Sequence, residues 1–505
     1  MRPRLDVDGD GIGDLLYRDV KGELRATHSR WNSSGGYAIR SQDRSERPKE
    51  LLTPGDLDGN GEDEILTLSA SGTLALYESA GERTDTTGEV LWSGNGWQKY
   101  NKVSAPGDLN GDGRRGDLIA RTPSGDVYAY TATGTVDAPY EPGVKIGYGW
   151  DVYDQIVGLD DANGDGFGDV VARTPRGDLY FYAGTGDLAK PFKAREQVGY
   201  GYDVYNQLVA VGDTDGDGHA DFMARKENGD TYSYRSTGAG TFAPRVFDKT
   251  GWEEAVLFAG AGGNPDYGKH ELLAITNAGL FWWYQFKNNG ELAKRSTHSP
   301  DGEPSGADIG TTLYAGSFSN DGEPAQVHVY QGQLWVGGNF IGRGWDAYDN
   351  LTAPGDLSGD GKADLLARDA KGDLYLYEGN GLGTAFAPKA KVGYGYDTYT
   401  KIVGGGDLSG DGIADVVAVA KNGTLYLYEG TGNGSVPLKA RKVIGTGFDI
   451  YNKFAAPGDL NGDGKADLIG VNGYGDLYRY TSTGTGSISP RVQIGDNWNI
   501  YRAIS

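Results

Sequence analysis

The chain has 505 residues, a formal net charge of −23, 84 glycines and no cysteine. That length allows several domains or one large repeat array. Without cysteine there is no disulfide and no thiolate metal site, the acidity excludes the basic patch of a nucleic-acid binder, and no stretch approaches the roughly 18 apolar residues of a membrane-spanning helix.

The start, Met1-Arg2-Pro3-Arg4-Leu5-Asp6, lacks the apolar run of a signal peptide. We expect that a signal or an upstream domain precedes it. At Asp6 begins an acidic phrase that recurs along the chain: Asp-x-Asp/Asn/Ser-Gly-Asp/Asn-Gly-x-x-Asp/Glu. Side-chain oxygens stand at loop positions 1, 3, 5 and 9. They are Asp6, Asp8, Asp10 and Asp14; Asp56, Asp58, Asn60 and Glu64; Asp108, Asn110, Asp112 and Asp117, with one extra residue; and Asp161, Asn163, Asp165 and Asp169. Further on come Asp213, Asp215, Asp217 and Asp221; Asp356, Ser358, Asp360 and Asp364; Asp407, Ser409, Asp411 and Asp415; and Asp459, Asn461, Asp463 and Asp467. The carbonyl at position 7, His219 in the fifth loop, adds another oxygen. Oxygen donors on alternate residues, with glycines that let the backbone curl, are what Ca²⁺ requires. Carboxylates crowded this closely repel one another without a cation. The expected cofactor is therefore Ca²⁺ at about eight sites, which would offset much of the net charge. Loops without a strong bidentate closing ligand fit weak sites of roughly 10⁻⁴–10⁻³ M, filled outside cells. A secreted, extracellular protein is the expectation.

The loops recur about every 52 residues, and the gap between Asp221 and Asp356 holds two degenerate copies within 255–350, which makes ten repeats. In the fourth repeat, strands are predicted at 155–159, 169–173, 178–182 and 195–199, the third alternating as a half-buried strand does. Four short antiparallel strands per repeat predict an all-β fold of propeller blades. The last residues, 498–505, align with 448–455, and Pro3-Arg4-Leu5-Asp6 aligns with Ala456-Pro457-Gly458-Asp459. The chain thus starts and stops within a repeat. This favours one β-propeller over 1–505, a single ten-bladed ring whose first blade is completed by the C-terminal strand. Two smaller rings remain open, because strand periodicity does not encode blade number.

A second phrase, Gly-aromatic-Asp-x-Tyr, marks the junctions between repeats. It supplies Trp150 and Asp151, Tyr202 and Asp203, Trp345 and Asp346, Tyr396 and Asp397, and Phe448 and Asp449, with variants at Trp97 and Trp498. An aromatic ring beside a carboxylate acceptor suits a sugar, the ring covering the apolar face and the acid taking hydroxyls. The other reading is packing between blades, with the Asp satisfying turn amides.

Segments such as Ala105-Pro106-Gly107-Asp108-Leu109-Asn110-Gly111-Asp112-Gly113 and Gly355-Asp356-Leu357-Ser358-Gly359-Asp360-Gly361 resemble FG-GAP/VCBS repeats, as in the integrin α-chain propeller and calcium-loaded propeller lectins. The resemblance covers essentially the whole chain and is weakest over 255–350. It implies a calcium-bearing propeller, while such propellers serve adhesion, sugar binding and enzyme anchoring alike. Integrin-like rings have seven blades, fewer than the ten repeats counted here.

Arg115-Gly116-Asp117 and Arg176-Gly177-Asp178 spell an integrin-binding tripeptide but sit in a metal loop and in a hairpin turn. Trp282-Trp283 lies in a degenerate repeat as core or as a partner patch. The five histidines are scattered, and neither a metalloprotease His spacing nor a Gly-x-Ser-x-Gly elbow occurs. The reading is a non-enzymatic binding module, a lectin for cell-surface or cell-wall glycans, whose repeated weak sites gain avidity together. A protein-interaction scaffold that binds a surface protein is the first alternative. A polysaccharide hydrolase or lyase is the second.

Overall fold

Burial along the strands explains why each repeat folds as it does. Asp169–Arg173 is buried at every residue, whereas in Leu179–Tyr182 buried Leu179 and Phe181 alternate with half-buried Tyr180 and Tyr182. The first pattern belongs to a strand covered on both faces, the second to one nearer a rim. With Gln155–Asp160 and Glu196–Gly199 they form an antiparallel meander in which Val157 faces Val171 and Val171 faces Phe181. The predicted strands of this repeat are therefore present, displaced by at most one residue at their ends.

The computed structural model describes residues 3–7, 11–28, 33–39, 48–79, 86–263, 271–296, 310–319 and 321–505. Among them are nine four-stranded sheets and one three-stranded sheet, all antiparallel. No described helix is long and apolar enough to cross a membrane. Hydrophobic clusters fill the space between successive sheets. One joins Val157, Leu159, Val171 and Leu179 to Leu208, Phe222 and Tyr234 of the next sheet.

The sheets fall into two compact units of five. In the first unit the N-terminal strands Leu16–Asp19, Leu24–His28 and Ser33–Gly36 receive their innermost strand from Ala255–Phe258, with Tyr17 opposite Phe258. In the second unit Glu271–Thr276 and Phe281–Gln285 receive theirs from the C-terminal Tyr501–Ile504, with Ala274 opposite Ile504. The expectation that the C-terminal strand completes the first repeat is thus corrected, and a single ring closed through those two ends falls with it. The inner edge of the first repeat is already occupied by Ala255–Phe258, a strand from the degenerate region.

Innermost strands of neighbouring sheets bond to one another within each unit. In the first, the Gly158 N–H donates to Ser104 Oγ at 2.8 Å, Ile156 N–H to the Gly262 carbonyl at 2.7 Å and Gly262 N–H to that of Leu208 at 2.8 Å. In the second, the Gly404 N–H donates to Thr352 Oγ1 and the Tyr314 N–H to Ser505 Oγ at 2.5 Å.

Candidate functional site

Each acidic loop leads into the second strand of a sheet, from the first strand in every copy but Asp6–Asp14, and two carboxylates shape it. The position-1 carboxylate accepts from the amides at positions 4 and 6. Asp161 takes Gly164 N–H at 2.6 Å and Gly166 N–H at 2.8 Å, and Asp407 takes Gly410 and Gly412 at 2.6 and 2.7 Å. Those glycines have φ of +80° and +90° at 164 and 166, a left-handed backbone that L side chains rarely adopt. The position-9 acid opens the second strand and is buried. Asp169 accepts from Ala162 N–H at 2.9 Å and from Gly184 N–H, in the third strand's outgoing loop, also at 2.9 Å. Asp117, Asp364, Asp415 and Asp467 repeat this double acceptance, so the extra residue in loop 108–117 is absorbed before Asp117. Desolvation raises the pKa of Asp117, Asp169 and Asp364 to about 7, against the pull of those amides.

Among the described residues, the carboxylates of two loops converge. Oxygens of Asp56, Asp58 and Glu64, and of Asp213, Asp215 and Asp221, lie within 4.8 Å of one another. In the first set Glu64 Oε2 accepts the Leu57 N–H at 2.5 Å, while Oε1 is buried without a partner. Burial, with Asp58, Asp56 and Asp63 adding repulsion, pushes the Glu64 carboxyl up to about 8. A buried carboxylate oxygen with no donor, facing further carboxylates, is a gap that a hard cation fits. Loop 56–64, which Asn60 and Glu64 set apart from the other copies, is therefore among the best formed. Elsewhere Asn163 Oδ1 accepts the Asp165 N–H at 2.9 Å, Asn110 Oδ1 the Asp112 N–H at 3.0 Å, and the Ser358 and Ser409 hydroxyls lean on Asp356 and Asp407 at 3.3 and 3.4 Å. At position 5, Asp112, Asp165 and Asp360 each meet a cationic side chain, Arg114, Lys193 and Lys362. In the first loop Asp6 accepts the Gly11 N–H at 2.8 Å and Asp14 the Val7 N–H at 2.9 Å, while Asp8 and Asp10 lie outside the described residues.

The junction phrase is a different object. Its residues form one-turn 3-10 helices entered through a left-handed residue, such as Gly149 at φ +75°. Trp150, Tyr202, Trp345, Tyr396 and Phe448 are buried, with exposures from 3 to 8 %. Trp150 stacks on Tyr182 with ring centroids 4.6 Å apart. The closing tyrosine bonds to a rim tyrosine through the two hydroxyls, Tyr153 with Tyr182 at 2.7 Å and Tyr205 with Tyr234 at 2.8 Å. An arginine from the preceding sheet clamps the turn: Arg368 Nη1 donates to the Tyr396 and Tyr399 carbonyls at 3.0 and 2.9 Å. Asp151, Asp203, Asp346, Asp397 and Asp449 are exposed, but each lies against the hairpin glycine of the preceding sheet. A Cβ on Gly177 would meet Asp203 Oδ1 at 2.4 Å and the Tyr202 amide nitrogen at 2.8 Å. The expectation that ring and carboxylate share one open face for a sugar is corrected: the rings are core, and the exposed acids lie against hairpin glycines. Arg176-Gly177-Asp178 is that hairpin, with Asp178 accepting from Gln197 Nε2 at 3.1 Å. Trp282 and Trp283 are half-buried, one under the Arg295 guanidinium at 4.3 Å and the other edge-on to Tyr314 at 4.6 Å.

Two features escaped the sequence reading. Trp252 is a further buried junction ring, entered from Gly251, whose backbone N–H donates to the Gly229 carbonyl at 3.2 Å. The sequence Gly251-Trp252-Glu253 could have revealed it, but the phrase loses its Asp and Tyr there. The residue two places before the buried ring is a tyrosine in three repeats. Tyr148, Tyr200 and Tyr394 are exposed at 82, 85 and 83 %. Three residues earlier on the same outer strand, Lys145, Gln197 and Lys391 pair with Asp126, Asp178 and Asp373 of the hairpin at 2.8, 3.1 and 2.7 Å. The signal was the repeated Gly-Tyr-Gly ahead of each aromatic-Asp pair.

Comparison with known proteins gives the following. The FG-GAP-like repeat matches residues 161–224, 356–418 and 407–470, and the FG-GAP repeat matches 454–489. No curated protein matches the chain. Among solved structures, an Agrocybe aegerita lectin that recognises non-reducing terminal N-acetylglucosamine is similar at 18 % identity, over 89 % of this chain and 94 % of its own, with a TM-score of 0.28. Saccharomyces cerevisiae Sqt1 is similar at 11 % identity over 91 % and 98 %, TM-score 0.23. The Burkholderia pseudomallei lectin BP39L is similar at 11 % over 89 % and 100 %, TM-score 0.24. With acidic loops leading into the second strands of antiparallel meanders and these segments matched, the chain carries FG-GAP-like repeats over 161–224 and 356–489.

Proposed function

We propose that the chain is a calcium-stabilised, secreted binding module, not an enzyme, in which each unit of five sheets closes as a five-bladed ring and the exposed tyrosines hold glycans. The observation that carries the glycan reading is the threefold recurrence of a bare tyrosine at one turn, Tyr148, Tyr200 and Tyr394, each three residues from a polar pair on the same strand edge. A phenol ring gives a flat apolar surface for a sugar face, and the neighbouring Lys or Gln and Asp offer donors and acceptors for hydroxyls. Several such sites would act by avidity. Ring closure is supported by the pairing of Ala255–Phe258 with Leu16–Asp19 and of Tyr501–Ile504 with Glu271–Thr276, each of which brings a strand from the end of a unit to its first sheet. Such closure removes an open sheet edge. Calcium is supported by the convergent oxygens of Asp56, Asp58 and Glu64 and of Asp213, Asp215 and Asp221. Weak extracellular-type sites of this kind support secretion.

A glycan array in millimolar Ca²⁺, run on the wild type and on Tyr148→Ser/Tyr200→Ser/Tyr394→Ser, tests the reading. Sugar signals that vanish in the triple variant, with an unchanged melting temperature, support it. Capture of a protein with no sugar signal would replace it with the scaffold reading, and turnover of a polysaccharide with the enzyme reading.

A further inference from the structure

A cavity of about 480 Å³ lies among the acidic loops of the first unit, within the roughly 300–1,000 Å³ that small-molecule sites occupy. Two of its buried lining residues neutralise each other. Arg4 Nε meets Asp160 Oδ2 at 2.8 Å, and Arg4 Nη2 donates to the Ala105 carbonyl at 2.8 Å. Asp160 holds a φ of +69° at the position that Gly55, Gly107 and Gly212 fill before the other loops of this unit. A side chain at positive φ is costly, and here the carboxylate is the one that Arg4 holds.

On one side the cavity is lined by Asp56 and Asp58. Their oxygens lie within 4.8 Å of an oxygen of Glu64, which does not line the cavity and is wholly buried, with Oε1 lacking a donor. A cation in loop 56–64 would therefore have Glu64 on its protein side and the cavity beyond the two aspartates. The facing side carries Arg114 and Arg115, from the loop with one extra residue. Hydrogen bonds identify that residue. The position-7 amide donates to the position-5 carboxylate in loop after loop, Phe167 to Asp165, His219 to Asp217 and Lys362 to Asp360. Arg114 makes this bond to Asp112 at 2.9 Å, so it holds position 7. Position 8 is glycine or alanine in every other loop but 56–64, and Gly116 fills it here, where a Cβ would strike Leu57 of the facing loop. Arg115 is thus the added residue. Arg114 pairs with Asp112 at 3.1 Å, whereas Arg115 makes no hydrogen bond or ion pair among the described residues. The insertion leaves the loop's own bonds intact and adds one free guanidinium opposite a convergent carboxylate set.

We propose that this cavity binds a carboxylated sugar of the uronate type, its carboxylate received by Arg115 and a further ligand oxygen by the cation of loop 56–64. The proposal rests on the calcium reading given above. Ca²⁺ takes six to eight oxygens, so one oxygen from each of three carboxylates leaves positions for others from the cavity side. The guanidinium fork matches a planar carboxylate in charge and shape, and Arg115 has no partner to give up. Pro3 and Pro54 add apolar surface for a sugar ring. Without the cation, Asp56 and Asp58 repel an anionic ligand, so binding is coupled to Ca²⁺. None of these groups belongs to the exposed tyrosines.

The test uses the full chain and three probes, glucuronate, glucose and acetate, titrated by calorimetry at constant ionic strength in millimolar Ca²⁺ and again in EDTA. We expect saturable glucuronate binding in Ca²⁺ that is lost in EDTA, with glucose and acetate each weaker. Arg115→Gln should bind glucuronate at least about tenfold more weakly and melt as the wild type does, because the side chain is exposed and unbonded. No glucuronate binding by a protein whose melting temperature Ca²⁺ raises overturns this site and leaves the calcium reading standing. A melting temperature indifferent to both Ca²⁺ and EDTA removes the calcium reading and the site with it. Equal binding by Arg115→Gln, or binding undiminished in EDTA, also overturns the proposal, and acetate held as tightly as glucuronate refutes a sugar ligand.

Discussion

Two phrases repeat along this chain, and both pair aspartate with glycine, yet the structure treats them oppositely. In the junction turns the ring is buried, the tyrosine hydroxyl is bonded, the carbonyls are clamped, and the exposed aspartate lies against a hairpin glycine. In the acidic loops the amides are satisfied but carboxylates gather, and Glu64 Oε1 is left buried with no donor. Repetition alone therefore does not mark a binding site. What separates the two is whether several carboxylates converge on one point after the fold has used the donors it has.

The largest effect expected from that contrast is on the loops. Chelation with EDTA should lower the melting temperature by many degrees, and millimolar Ca²⁺ should restore it. Each site held tenfold above its dissociation constant contributes about 1.4 kcal/mol to the folded state, and several sites act in one unit. An unchanged melt in EDTA would remove the distinction between the two phrases. Next in size, Trp150→Ala should cost about 3–5 kcal/mol in a denaturant melt, since the ring is 8 % exposed and stacked on Tyr182. Loss of glycan signal without loss of stability in that variant would return the ring to the surface role the structure denies it.

Glycines sharpen the comparison. Gly177→Ala and Gly166→Ala both place a side chain at positive φ, +86° and +90°. At Gly177 the new Cβ also meets backbone and the Asp203 carboxylate, whereas at Gly166 nothing lies within 4 Å. We expect Gly177→Ala to cost about 2–3 kcal/mol and Gly166→Ala about 1 kcal/mol, the latter from backbone strain alone. Equal costs in parallel urea melts would show that the aspartate contact is not what holds the turn. The smallest stability effect belongs to Tyr200→Ser: at 85 % exposure the ring contributes little to folding, so the change should stay within about 0.5 kcal/mol. A larger loss would place that tyrosine in the architecture.

Much of this was legible in the residues. The loop spacing marked the entry into the second strand of a sheet, and the 155–199 strands were placed to within a residue, because alternation and glycine-rich turns are local signals. Of the two readings of the junction rings, packing is the one the structure shows, and the sequence left both open because burial is not local. Trp150 is covered by Tyr182 and Phe192, whose rings come from a neighbouring strand and loop that sequence spacing does not bring together. Convergence of three carboxylates at Asp56, Asp58 and Glu64 was equally hidden, because which oxygen Glu64 leaves without a donor depends on the fold around it.

By itself the sequence determined the repeat, its four strands and the acidic loops. All of these rest on contacts a few residues apart. Which strand fills each incomplete sheet was decided only in three dimensions. Ala255–Phe258 and Tyr501–Ile504 are each short apolar strands able to pair with any open edge, and a strand's own residues do not say which edge is free. The edge of Leu16–Asp19 is taken by the strand that the first unit itself brings round, so the C-terminal strand pairs with Glu271–Thr276. Ten sheets thereby divide into two units of five instead of running as one array.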